Sequence, residues 1–327
     1  MNFKHAFTKV QLALGLTLLT CSATTFAQTY PSNSIRMLVG FPAGGGADLS
    51  ARLIASGMSK LLGQTIIVEN RPGAGGSIAA VAVSKAQPDG YTILLGNTGS
   101  LTINPFMTPG QSVQPLRDLE PVALVSTSPL AIVAKNSLPA NNLSEFVALA
   151  KGAPDKYSFG TGGSGSISHL TIELLKLQTG IKLLHVPYKG GSPAVQDLMA
   201  NQVDTVIDGV PLTAPLITDG RIKALAVTSK ERSSVLPNVP TALESGFPDL
   251  VVTVWYGIVV PKGTPAHIIN TLNQAVNTAL KDPEMQKKFE QQGSLVTGGS
   301  PADFEKLLKN ELTRWEQAVK VSGAKAQ

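Results

Sequence analysis

The sequence predicts an α/β protein built from two halves with a cleft between them, on three observations. Short apolar runs alternate with amphipathic helical stretches along most of the chain, the pattern of an open sheet covered by helices. A strand, a glycine-rich loop and a helix open each half, at Ile35–Leu62 and again at Tyr157–Gln178. Two long segments, Val122–Lys135 and Val251–Pro261, are extended and carry no helical period, as chain passing from one half to the other would.

Ile35–Val39 reads as a buried strand. Phe41-Pro42-Ala43-Gly44-Gly45-Gly46-Ala47-Asp48 cannot extend it, and Leu49, Leu53, Ile54, Met58, Leu61 and Leu62 then recur at helical spacing up to Gly63, a C-cap. Thr65–Glu69 is the second strand. Asn70–Ser77 is a loop, and a small-residue helix runs to about Ala86. After the turn Gln87–Gly90, Tyr91–Leu95 is a third strand ending in the polar loop Gly96-Asn97-Thr98-Gly99-Ser100. Asn142–Glu145 opens a helix to Lys151. Tyr157–Thr161 is a strand, Gly162–Ser166 its loop, Ile167–Gln178 a helix stopped by Gly180. His185–Tyr188 is a strand, with Ser192 expected as N-cap and Pro193 at the first helical position. Val203–Ile207 ends in an Asp208-Gly209 turn, and Ala224–Thr228 is one more strand. A helix from Thr264-Pro265 carries Ile268, Leu272, Val276 and Leu280 on one face. Ser300–Asp303 resembles a capping box opening a last helix with Phe304, Leu307, Leu308, Leu312, Trp315 and Val319.

Lys4 and Lys9, an apolar core at Leu12–Leu19 and Thr25-Phe26-Ala27 form a secretory signal, expected to be cleaved after Ala27. Leu18-Leu19-Thr20 fits lipid attachment at Cys21 poorly. The mature chain, Gln28–Gln327, then holds no cysteine and must build ordinary cores, which the 43% apolar composition of the full sequence allows. Loss of the two lysines lowers the formal charge of +5 by two, and no basic cluster marks a nucleic-acid or membrane surface. The expected product is an exported, soluble, two-domain protein, taken to be a monomer.

Three successive glycines after the first strand free backbone N–H groups to face a ligand, and the helix start behind them adds the positive end of its dipole. Anion binding follows. A nucleotide is disfavoured, because no loop ends in Gly-Lys-Ser/Thr and none reads G-x-G-x-x-G. Gly162-Gly163-Ser164-Gly165-Ser166 lacks the last glycine of a nucleophile elbow, and Ser164 with His169 alone makes no triad, so a secreted serine hydrolase is an unfavoured alternative. His169, His185 and His267 without cysteine argue against zinc. No metal, cofactor or catalytic residue is expected. The glycines at 44–46 and 162–165 read as ligand loops, and those at 73–76 as turn residues. Asp48 suits helix capping, Asp208 either shapes a turn or meets ligand, and His169 is as well placed on a surface as on a ligand. Phe41 and Tyr188 serve equally as pocket wall or core. Trp255-Tyr256 reads as packing.

Phe41-x-x-Gly44-Gly45-x-x-Asp48, Glu69-Asn70-Arg71-Pro72-Gly73-Ala74-Gly75-Gly76, Pro88-Asp89-Gly90-Tyr91-Thr92 and His185-Val186-Pro187-Tyr188-Lys189-Gly190 occur in that order. With Ala224–Thr228, Trp255-Tyr256-Gly257 and Pro261-x-Gly263-Thr264-Pro265, the chain closely resembles the Bug-type substrate-binding proteins of tripartite tricarboxylate transporters across its mature length. The resemblance implies a type II periplasmic-binding-protein fold, two α/β domains with a ligand cleft between them and two crossing strands as hinge. Domain 1 would be 28–126 plus 250–327, domain 2 127–249, and 1–27 the signal peptide. It implies a non-catalytic periplasmic receptor that closes on a small organic carboxylate and hands it to a two-part membrane permease. The alternative partner is a histidine-kinase sensor. Carried onto this chain, the implied ligand-binding residues are Phe41, Ala43, Gly44, Gly45, Gly46, Asp48, Asn97, Thr98, Ser164, Gly165, Ser166, His169, Tyr188 and Asp208. Gly46-Ala47 and Thr161-Gly162-Gly163 depart from common family versions, and the family's ligands range from citrate-like acids and dicarboxylates to amino acids and aromatic acids, so the ligand's identity stays open.

Overall fold

A computed structural model describes residues 30–108, 110, 112–322 and 324. The expected signal peptide and Cys21 lie outside these residues. Ten strands are described: β1 (Ile35–Val39), β2 (Ile66–Asn70), β3 (Thr92–Asn97), β4 (Leu119–Ala134), β5 (Ser158–Thr161), β6 (Leu184–Pro187), β7 (Thr205–Gly209), β8 (Lys223–Val227), β9 (Thr253–Pro261) and β10 (Leu295–Val296). They run in the order β2-β1-β3-β9-β4-β7-β5-β6, with β8 and β10 also paired to β4. Helices of two turns or more are α1 (Gly46–Leu62), α2 (Ser77–Ser84), α3 (Leu143–Lys151), α4 (Ile167–Thr179), α5 (Gly191–Met199), α6 (Val210–Thr218), α7 (Ala266–Lys281), α8 (Pro283–Gln291) and α9 (Pro301–Ser322).

The sixteen-residue strand β4 joins two sheets. Its first part pairs with β9 from Leu119 to Pro129, and its last part lies between β7 and β8 from Leu130 onward. The change of partners falls at Thr228. The Thr228 Oγ1 accepts from Leu130 N–H at 3.0 Å and donates to the Val252 carbonyl at 2.6 Å. Thr228 N–H bonds the Leu130 carbonyl, and Val252 N–H bonds the Thr228 carbonyl, each at 2.9 Å. One buried threonine thus ties the outgoing strand to the returning chain. The return is complete before β9, which pairs only with β3 and β4 of the first sheet. The second extended segment is therefore mostly sheet, with its crossing confined to the residues just before it.

Within each sheet β1, β2 and β3, and β5, β6 and β7, are parallel. Parallel strands need crossover helices, which cover both faces and make the strands apolar throughout. Ile35, Met37, Leu38 and Val39 are accordingly buried. Helix α1 packs Ile54, Ala55 and Met58 inward and crosses α7 at Gly57, where a Cβ would come within 2.8 Å of Ala279 Cβ. Helix α9 starts with the expected reciprocal cap: Asp303 N–H donates to Ser300 Oγ at 3.1 Å, and Ser300 N–H to Asp303 Oδ2 at 2.9 Å. Its Phe304 lies edge-on to Trp255, 5.5 Å between centroids.

Three local expectations are corrected. Helix α5 starts at Gly191 with Gly190 as N-cap, so Ser192 is already inside the helix. Asp208-Gly209 is the end of β7 and leads directly into α6, which Pro211 and Pro215 concealed from a helical pattern. The loop after β3 continues as a wide helical turn at Gly99–Ile103 and a single α-turn at Asn104–Met107.

Candidate functional site

Four helix N-termini border the space between the sheets. A cavity of about 40 Å³ is lined by Gly46 and Ala47 at the start of α1, Ile167 and Ser168 at the start of α4, Gly191 at the start of α5 and Gly209 at the cap of α6. Asn97 at the end of β3, Leu130 of β4, and Val254 and Tyr256 of β9 also line it. The first N–H groups of a helix have no intrahelical acceptor. Those of Gly46, Ala47, Ile167, Ser168 and Gly191 find none elsewhere among the described residues. Four positive dipole ends therefore meet around one small space.

The side chains that line it are sparsely polar. Phe41, Pro42, Leu130, Ile167 and Val254 form apolar wall. Asn97 Oδ1 accepts from Ser100 N–H at 2.9 Å, which leaves its amide donors to the cavity. Ser168 Oγ accepts from Gly162 N–H at 3.1 Å and shares a hydrogen bond with Ser166 Oγ at 2.9 Å. Tyr256 is 4% exposed and its hydroxyl has no partner among the described residues. Burial, then the nearby Asp208, push the Tyr256 phenol far up, so it stays a donor. Asp208 is the one charged side chain lining the cavity among the described residues. Burial raises its carboxyl to about 6, with the Gly209 N–H at 2.8 Å working in the opposite direction. Among the described residues no cation lines the space.

Of the residues the sequence pointed to, Phe41, Gly45, Gly46, Asn97, Ser166 and Asp208 line the cavity. The others surround it at one remove. Asp48 faces away: its carboxylate accepts from Gly44 N–H at 2.9 Å, Arg52 Nε at 3.0 Å and Asn70 Nδ2 at 2.9 Å. Burial alone would raise its pKa, but these donors outweigh it and hold the group below the usual carboxylate range. Asp48 fixes the loop that presents the Gly46 and Ala47 amides. Ala43 accepts weakly from Ser192 Oγ across the cleft, at 3.5 Å. The Thr98 Oγ1 accepts from Trp255 N–H at 3.0 Å, behind the cavity wall.

His169 Nδ1 accepts from Gly165 N–H at 3.4 Å, and its ring stacks on His185 at 4.2 Å. Burial lowers both imidazoles, that of His185 to about 3, with the neighbouring His169 and Lys176 adding to the effect. The histidines are neutral supports of the 162–166 loop. The Ser–His pair a hydrolase would need is not formed: His169 binds backbone, and Ser164 contributes its carbonyl to a contact with the opposite loop. Tyr188 donates to Asp197 Oδ2 at 2.7 Å, and burial and that carboxylate raise its phenol to about 12.

The two sheets' loops touch. A Cβ on Gly190 would overlap the Pro42 ring, and one on Gly75 would lie 2.8 Å from the Ser164 carbonyl. The 73–76 glycines, expected only to make a turn, thus also form a contact face, with Gly75 at φ 58° and Gly76 at φ 95°. The cleft is closed.

Sequence reasoning missed Tyr256. Trp255 and Tyr256 are neighbours on β9, so they face opposite sides. Trp255 packs on Phe304 as expected, and alternation alone turns Tyr256 toward the cleft. It also missed Gly191, whose place became visible only when α5 was seen to start there.

The family model described as "Tripartite tricarboxylate transporter family receptor" matches residues 50–323. Among solved structures, the periplasmic binding protein BugD is 38% identical with a TM-score of 0.88, over 91% of this chain and 100% of BugD. The Rhodopseudomonas palustris protein Rpa4515, solved with adipate, is 34% identical with a TM-score of 0.88, over 91% of this chain and 100% of its own. MatC of the same organism, solved with bound malate, is 35% identical with a TM-score of 0.85, over 89% of this chain and 100% of its own.

Proposed function

The chain belongs to the tripartite tricarboxylate transporter receptor family, whose members are periplasmic solute-binding proteins, and from that premise we propose that it captures a small organic carboxylate in the cleft and presents it to a membrane permease. The observation that carries the proposal is the convergence of four helix N-termini on a cavity that no cation lines among the described residues. A carboxylate needs several donors and a positive potential. Here backbone amides supply both, each charge-assisted hydrogen bond being worth about 1.5–3 kcal/mol. A site made of such modest terms holds its cargo and can release it. The adipate and malate bound by two relatives are acids of the matching kind.

The two lobes are taken as residues 28–126 with 250–327 and residues 127–249, with the chain passing between them near Thr228. Helix α1 belongs to the first lobe, and α4, α5 and α6 to the second. A ligand that reaches amides of both lobes stabilises the closed form relative to the open one, which is what drives closure. The ligand contacts comprise Phe41, Gly45, Gly46, Asn97, Ser166 and Asp208, with Ala43, Gly44, Asp48, Thr98, Ser164, Gly165, His169 and Tyr188 shaping the loops around them. Residues 1–27 act as the export signal. Among the described residues no helix is long and apolar enough to cross a membrane.

The test is a thermal-shift screen of the chain without its signal segment against mono-, di- and tricarboxylates, each beside the matching amide or alcohol. A ligand that binds only the folded state adds about 2.7 kcal/mol at a hundredfold excess over Kd. At least one acid is expected to raise the melting temperature by several degrees while its neutral analogue does not. No shift from any carboxylate would refute the proposal.

A further inference from the structure

We propose that Asp208 is the specificity-determining residue of the cleft: its carboxylate accepts a hydrogen bond from a hydroxyl or ammonium group on the ligand, so the acids captured are those that carry such a donor. This rests on the reading of the cleft as a carboxylate site and narrows it.

Four observations support it. Asp208 lines the cavity, and only one of its oxygens is used by the protein, Oδ1 accepting from Gly209 N–H at 2.8 Å. Oδ2 has no hydrogen-bond partner among the described residues. Second, the carboxylate has been given room. A Cβ on Gly191 would overlap Oδ2 and Cγ of Asp208 and lie 2.7 Å from Oδ1, so a residue of the α5 N-terminus must be glycine for this side chain to face the cleft. A turn-forming aspartate that bonds only its own following N–H makes no such demand. Third, nothing in the cavity wall neutralises it. The titratable group facing it is Tyr256 on β9, a donor, while α1, α4 and α5 present Gly46, Ala47, Ile167, Ser168 and Gly191. Fourth, Tyr256 is a buried residue lining the same cavity, and its hydroxyl has no partner among the described residues, so donors and an acceptor face the same small space.

An acid with no donor brings its negative charge into a cavity of about 40 Å³ that already holds a carboxylate. Like charges so close repel strongly where little water intervenes. A hydroxyl or ammonium beside the ligand's carboxylate turns that face of the ligand into a partner for Oδ2, while the carboxylate itself takes the helix amides. Selection by a buried acceptor is strong because a ligand lacking the donor leaves the acceptor unsatisfied.

The experiment measures dissociation constants at pH 7.5 for acids matched except for the donor: succinate, malate and aspartate; propionate, lactate and alanine; adipate and 2-aminoadipate. Wild-type protein is compared with Asp208→Asn and Asp208→Ala, with melting temperatures as the folding control. In at least one series the donor-bearing acid is expected to bind wild type about ten- to a hundredfold tighter than its partner, the factor of one charge-assisted hydrogen bond. Asp208→Asn should bring that ratio to within about threefold, chiefly by weakening the donor-bearing acid. Equal affinity for donor-bearing and donor-free acids in wild type overturns the proposal, whether or not the variants fold. So does a ratio that survives in a folded Asp208→Asn. If no acid of any series binds wild type, the carboxylate reading itself has failed, a different result from either.

Discussion

Replacing Gly191 with alanine tests the geometry of the cleft without needing its ligand. The added Cβ would stand 2.7 Å from Asp208 Oδ1 and overlap Oδ2 and Cγ, so the carboxylate must swing away and give up its bond to Gly209 N–H. That hydrogen bond has a charged acceptor and is worth about 1.5–3 kcal/mol. Alanine in place of glycine in a helix returns up to about 1 kcal/mol. The net loss is about 0.5–2 kcal/mol, or a melting temperature lower by roughly 1–8 °C for a chain of this size. The assay is a double-mutant cycle by urea unfolding with Asp208→Ala, which removes the carboxylate that the new methyl strikes. Gly191→Ala should then cost nothing and become slightly stabilising. A penalty for Gly191→Ala that is as large in the Asp208→Ala background as in wild type would mean that the carboxylate does not lie against the α5 N-terminus.

Gly45→Val places methyl groups between the lobes, where a Cβ already meets the Pro42 carbonyl and Ser192 Oγ at 3.5 Å. It should weaken ligand affinity about tenfold or more, a factor equal to one charge-assisted hydrogen bond, while leaving the melting temperature of the free protein within a degree or two. Unchanged affinity by calorimetry would count against the closed cleft as the binding state. Thr228→Val leaves the Leu130 N–H and the Val252 carbonyl without their side-chain partner and should lower stability by about 1–3 kcal/mol in urea unfolding. No loss would mean that the lobes are not tied there. His185 is half-buried and its partial burial holds the imidazole down to about 3 as the neutral ring, so the unfolded chain binds the extra proton first. Its contribution is intact above pH 6.5 and is lost as pH falls toward 3. Asp208 acts in the opposite sense, because a carboxyl raised to about 6 favours the fold as it protonates. The informative quantity is therefore the difference between wild type and His185→Phe, which should shrink as pH is lowered from 7 to 4. A difference independent of pH would show that the imidazole does not stay neutral.

The strands and long helices were legible because their apolar periods survive in a two-sheet α/β protein. Ile35–Val39 and the α1 face are examples, with Gly63 in the left-handed conformation at the helix end as expected. Helix α6 was not legible, since Pro211 and Pro215 mask its period and Asp208-Gly209 imitates a turn. Its N-terminus is nevertheless one of the four that border the cavity. The glycine loops indicated where an anion could sit, but not which side chains would face it. Asp48 and His169 stand in the same motifs as the lining residues and point elsewhere, Asp48 to Arg52 and Asn70, His169 to Gly165 and His185. Which side of a loop a side chain takes depends on contacts from residues far along the chain, and no local pattern records them. Tyr256 is the instructive omission. The alternation that would have separated it from Trp255 was present in the sequence, but the pair was read as a single packing unit.

As proposed, the cleft holds a carboxylate by helix amides of both lobes. A crystal structure of the protein with the acid that stabilises it most tests this directly. Carboxylate oxygens are expected about 3 Å from the N–H groups of Gly46 or Ala47 on one side and of Ile167, Ser168 or Gly191 on the other, directly or through one ordered water. A carboxylate paired instead with a lysine or arginine side chain, or bound outside the space between the two sheets, would contradict it.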